Sequence, residues 1–169
     1  MPAVVLSLLT APAAGAATGR TQIQMQDRCE PVSFNEFGNQ PGGPGDICFK
    51  NGDVTFAEFL DKLNPDDGGH GAWRFSREKT HIDAGQSLSV RNTGGEVHCF
   101  TEVVDFGTGI VPELNAAVTE TAPAVPVGDE GPIFVGPGGV LEVSGLTPGT
   151  HKFECLIHPW MRSTVEVRR

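Results

Sequence analysis

From Ala72 to the end of the chain, apolar residues recur at every second position in short runs: AWRFS, SLSVRN, EVHCFTEV, GVLEVSG, THKFEC and STVEVRR. Gly, Pro or Asn separates them. A period of two sends successive side chains to opposite faces of an extended chain, whereas a helix would need apolar residues three and four apart. Many short strands with turn residues between them predict an all-β sandwich or barrel of about seven or eight strands over residues 72–169. The stretch 105–132 is too long for a hairpin connection. It should cross between sheets or hold a short helix near Pro112 to Asn115. No internal repeat is visible.

The segment before Ala72 has a different character. Residues 20–52 are polar and rich in Gly and Pro, a composition that predicts loop rather than core. One helix interrupts this region at VTFAEFLDKL, where Thr55 and Glu58 form a capping box and Val54 and Phe59 are spaced for a hydrophobic staple. Phe56, Phe59, Leu60 and Leu63 fall on one helical face, which should dock, and NPDDGGHG ends the helix. Cysteines stand at positions 29, 48, 99 and 155. Counting alone leaves every pairing open. Cys29 and Cys48 bracket a Gly/Pro/Asn-rich stretch with little capacity to pack, so a bridge there would remove much unfolded-state entropy.

The first seventeen residues carry no charge and join an apolar run, Val4 to Leu9, to a small-residue stretch suited to signal peptidase. The run is too short to cross a bilayer. A leader or leader remnant at 1–17, an extension with loop and short helix at 18–71, and a β-domain at 72–169 is the expected organisation. The mature protein is then exported, to the periplasm, the cell surface or beyond, without a membrane span. A net charge of -9 argues against nucleic acid as a partner, since phosphate binding requires clustered Lys and Arg. It favours a partner with a basic patch.

The chemistry concentrates in HKFECLIHPWMRSTVEV, residues 151–167, which carries Cys155, His158 and Met161 at three-residue intervals. If Phe153 points into the sandwich, His151 and Cys155 do also, while Lys152 and Glu154 face water. Cys155 then ends a strand, and Pro159 stiffens the turn that presents His158 and Met161. A fourth donor must come from elsewhere, and His98, just after the Gly-Gly turn of NTGGEVHCFTEV, is the best candidate. Two imidazoles, one thiolate and a weak axial thioether form the ligand set of a blue-copper electron-transfer site.

Over residues 72–169 the sequence resembles the cupredoxins, the blue-copper proteins that include plastocyanin and amicyanin. The most specific element is Cys155-x-x-His158-Pro-x-Met161, whose spacing is similar to the amicyanin loop. The V-x-N-T-G-G-E-x-H stretch ending at His98 adds to it. The resemblance implies a Greek-key β-sandwich with one type 1 copper ion, held by His98, Cys155 and His158 with Met161 as the long axial ligand, cycling between Cu(I) and Cu(II). Two features depart from the pattern. Cys99 stands where family members often carry Asn, and alternation aims it away from the metal; residues 20–71 exceed the minimal cupredoxin.

Blander readings exist for each residue. Cys155 could pair with Cys99, His98 could be an ordinary strand histidine, and Met161 could fill the core. His70 and His81 read as solvated and His151 as a packing residue. Trp160 suits either the core or an exposed docking surface. The leading function is a single-copper electron carrier rather than an enzyme, with the imidazole edge of His158 near solvent and a redox partner docking near His158, Pro159 and Trp160. A multicopper oxidase or nitrite reductase would need histidines flanking the cysteine, but Cys155 lies between Glu154 and Leu156. The alternative is a secreted copper-binding or structural β-domain without redox turnover.

Overall fold

The computed structural model describes residues 19–129 and 131–169. The leader read at 1–17 lies outside them. The chain is mostly β, with ten strands among the described residues: β1 (Arg20–Gln26), β2 (Arg74–Phe75), β3 (Lys79–Asp83), β4 (Ser87–Asn92), β5 (His98–Cys99), β6 (Thr101–Val103), β7 (Phe134–Val135), β8 (Val140–Val143), β9 (Gly149–Glu154) and β10 (Arg162–Arg168). One four-stranded sheet has the order β2-β1-β4-β8 and a second β3-β10-β9-β6, while β5 and β7 form a separate pair. Both larger sheets are mixed, because β1 runs parallel to β4 and β10 parallel to β3. No described helix is long and apolar enough to cross a membrane.

Alternation decides which face of each strand is buried. Leu88 and Val90 on β4 and Val165 and Val167 on β10 point into one core cluster, with their neighbours turned outward. Between the sheets, Phe100 stacks on Phe153 with ring centroids 4.3 Å apart and meets Phe75 edge-on at 5.0 Å. Phe100 directly follows β5, so its packing also fixes where His98 and Cys99 sit. We expect Phe100→Ala to lower unfolding free energy by about 3–5 kcal/mol, since it removes a buried ring between two others and leaves a cavity. Urea denaturation of the metal-free protein measures this; a loss under about 1 kcal/mol would show that the ring is not a keystone.

The expectation of loop across 20–52 is corrected. Residues 20–26 form β1, a strand flanked by partners on both sides. RTQIQMQ does alternate, and Ile23 and Met25 are fully buried, but two apolar residues are too few to stand out in a polar stretch. A second element, helix α1 (Pro31–Gly38), was also missed. Its signal is local: the Glu30 side chain accepts hydrogen bonds from the Val32 and Ser33 amides at 2.9 and 2.7 Å, and Pro31 opens the first turn where no amide is needed. Helix α2 (Phe56–Asp61) carries the Thr55–Glu58 capping box. Phe59 is buried, but Leu60 is exposed rather than docked. The core itself runs across position 71/72, with Phe34 and Phe59 in the same cluster as Phe153.

A disulfide joins Cys29 to Cys48. Beside it the Asn35 side chain accepts from the amides of Ile47 and Cys48 and donates to the Cys48 carbonyl, which satisfies a glycine-rich turn that cannot satisfy itself. Cys99 and Cys155 are both free and buried. Thiol counting on denatured, metal-free, unreduced protein should therefore find two reactive groups; zero would mean that the second pair closes in solution. The long connection 105–132 holds a 3-10 helix at Pro112–Ala117.

Candidate metal centre

One strand and one loop deliver the donors. His98 and Cys99 form β5, Cys155 follows the end of β9, and His158 lies in the loop that leads into β10. That loop is closed by its own backbone: the Met161 amide donates to the His158 carbonyl at 2.8 Å, and the Cys155 amide donates to the Met161 carbonyl at 3.0 Å. The Cys-x2-His-x2-Met spacing thus fills one tight turn whose ends hold each other. The donor atoms of His98, Cys155 and His158 all lie within 4.8 Å of one another, and all three residues are buried. Met161 is buried as well.

His98 is oriented by a residue that the sequence did not single out. Its Nε2 meets Asp27 Oδ2 at 2.8 Å, with both side chains sealed from solvent. Asp27 also accepts from the amides of Gly95 and Glu96. Burial alone would raise the Asp27 carboxyl, but the hydrogen bond from His98 and these two amides outweigh it and hold the group at about 2. The Gly94-Gly95 pair makes this approach possible: a Cβ on Gly94 would collide with the Asp27 carboxylate, and one on Gly95 would come within 2.6 Å of Cys29 Sγ. What reads in sequence as a turn signal is a space left for β1's end and for the disulfide.

With Nε2 engaged, His98 Nδ1 is left buried without any hydrogen-bond partner. An orphaned imidazole nitrogen in a sealed site is costly unless something fills its lone pair. Cys155 Sγ and His158 Nδ1 are 3.8 Å apart. Metal–nitrogen and metal–sulfur bonds of about 2.0 and 2.3 Å place two ligands of one ion about 3.5–4 Å from each other. The residues therefore fit a metal. Burial drives the His158 imidazole well below its ordinary value, so its nitrogens are kept neutral. Nε2 of His158 lies 3.7 Å from Glu96. Burial pushes the Glu96 carboxyl up to about 8, against the hydrogen bond that it accepts from the Trp73 indole.

Three placements differ from the sequence expectations. Cys99 is not turned away from the site: its Sγ is 3.7 Å from Cys155 Sγ, its amide points at that sulfur, and it accepts from the Leu156 amide at 2.8 Å. Strict alternation fails here because β5 is two residues long, and residues 98–101 are all buried. Glu154 does not face water. It is fully buried, bonded to the Gly107 amide and to Arg162, because the long connection folds over the end of β9; burial raises its carboxyl to about 7 against the Arg162 charge. His151, by contrast, faces inward as expected, its side chain mostly buried and paired with Glu102 at 2.6 Å.

The third difference concerns exposure. His158 is 2% exposed and Pro159 is buried, so the imidazole does not lie open at the surface. Segment 29–71 covers it. Phe59 meets the His158 ring edge-on at 6.2 Å, Trp160 packs beside that ring at 5.4 Å, and Gly69 lies so close to Trp160 that a Cβ there would fall inside the indole. Gly69 has φ +82, which suits glycine alone at this contact. Trp160 is half-buried. His70 is half-buried too, its ring edge-on to Trp73, whereas His81 is exposed in a pair with Glu166.

No family model and no curated protein matches this sequence. The solved structures that it resembles are cupredoxins. A purple cupredoxin from Nitrosopumilus maritimus is 16% identical, over 87% of this chain and 98% of its own, with a TM-score of 0.45. A reduced Cu(I) form of an amicyanin variant at pH 4 is 18% identical over 56% of this chain and 73% of its own, with a TM-score of 0.39. Likeness at this level adds nothing to the site. Its case rests on its own donor atoms.

Proposed function

We propose that the chain is an exported electron-transfer protein that holds one type 1 copper ion through His98, Cys155 and His158, with Met161 as a weak axial donor. The convergence of two imidazoles and a thiol in a buried site, with His98 Nδ1 unpaired, carries this reading. Copper bound there supplies a one-electron Cu(I)/Cu(II) couple. The chain's own residues supply everything else: Asp27 orients His98, the Cys99 amide faces the Cys155 sulfur, and Phe59 and Trp160 pack against the His158 ring and keep water from it. A dry site held from several elements changes little between oxidation states, which favours fast exchange. The fold implied is the Greek-key sandwich of this class.

Adding Cu(II) to reduced, metal-free protein should produce an intense visible band at one equivalent, which ascorbate bleaches and reoxidation restores. A band that cannot be cycled would favour the alternative, copper binding without redox turnover. Met161→Gln should retain copper and lower the reduction potential, because a harder oxygen donor favours Cu(II). Potentiometry of the variant checks this, and complete loss of copper would remove Met161 from the axial role.

A further inference from the structure

With His158 covered, electrons need another route to the surface, and one apolar groove reaches it. The groove has a volume of about 690 Å³ and is bounded by Phe49, Phe56, Leu60, Val97, Ile157 and His158. Phe49 is 61% exposed, Leu60 46% and Val97 38%, so three large apolar side chains open to solvent around one depression. Such clusters mark contact surfaces. Asp46 and Glu113 also line it, and no Lys or Arg does among the described residues. The surrounding segment shares this sign: residues 27–70 hold nine Asp and Glu against three Lys and Arg, a net -6 of the chain's -9.

We propose that this groove, built by α1, α2 and the disulfide-tied loop between them, is where the redox partner docks, and that the partner is a basic protein seating an apolar side chain in it. The inference rests on the copper reading above. Apolar contact excludes water and brings the partner against the His158 ring, while the carboxylates steer a basic surface without lying on the transfer path. The expected contact beside Pro159 and Trp160 thus moves to this groove, because Gly69 and Phe59 pack against Trp160.

The test uses the copper-loaded full chain, first reduced to Cu(I) with ascorbate and freed of excess reductant, and an oxidised basic c-type cytochrome, mixed rapidly from about 0.01 to 0.3 M salt. Phe49→Gln and Leu60→Gln should each slow reduction of the cytochrome by about tenfold, with an unchanged visible band. Val140→Gln, an exposed apolar position on β8, should not slow it. The double variant Asp46→Asn, Glu113→Gln should flatten the salt dependence. Exchange with ferricyanide, too small to need the groove, should stay within about twofold in the two uncharged variants Phe49→Gln and Leu60→Gln. Cytochrome rates equal to wild type in both glutamine variants would overturn the proposal. So would a parallel loss with ferricyanide, which would place the defect at the copper. A wild-type dimer in sedimentation that the same variants dissociate would assign the groove to a second copy instead. Failure of the copper reading is separate: no visible band forms in any variant, and the docking proposal falls with it.

Discussion

Replacing Cys155 with serine is expected to erase the visible band of the copper-loaded protein completely. The band requires a sulfur orbital that donates to the metal, and a hydroxyl has none to offer. Burial, reinforced by the neighbouring Cys99, pushes the Cys155 thiol well above its ordinary value, so the thiolate forms only when a cation takes the place of the proton. Metal binding and deprotonation are then one event. Cys99 lies 3.7 Å away but is engaged with the Leu156 amide and stands outside the three-donor group, so it should not substitute. Absorption spectra of Cys155→Ser and Cys99→Ala after copper addition separate the two thiols: the first should be colourless and the second coloured. Full colour in Cys155→Ser would end the copper-thiolate reading.

The second large effect is expected at Asp27. Asp27→Asn should weaken copper binding about 10–100-fold, the usual consequence of removing a carboxylate behind a ligand histidine. The carboxylate fixes the His98 tautomer with the proton on Nε2, and it raises the basicity of Nδ1; an amide can accept the same hydrogen bond but brings no charge. Competition against a chromophoric Cu(I) chelator measures the change. Because Asn preserves the size and one acceptor, the urea midpoint of the metal-free variant reports any loss of fold separately. Affinity equal to wild type would show that Gly94, Gly95 and the strand position His98 unaided.

Local order was readable wherever it depends on neighbours in sequence. The two-residue period of β4 and β10, the Thr55–Glu58 box of α2 and the three-residue spacing of Cys155, His158 and Met161 all act within a few residues. Errors arose where a distant segment supplied the environment. Glu154 was assigned to water by alternation, yet Gly107, 47 residues earlier, covers it. Cys99 was turned outward by the same rule across a strand too short to enforce it. Strand β1 was invisible because two buried residues make a weak pattern, and only pairing with β2 and β4 stabilises it.

The site divides along the same line. By itself the sequence determined which atoms are offered, a thiol and an imidazole in one turn and a second imidazole after Gly-Gly, because donor chemistry and turn geometry are properties of the residues and their spacing. Tertiary structure alone decided what surrounds those atoms: Asp27 behind His98, 71 residues away, and Phe59 and Gly69 over the face of His158 and Trp160. Solvent exclusion is a property of every segment that packs on a site, so no pattern within one segment can encode it.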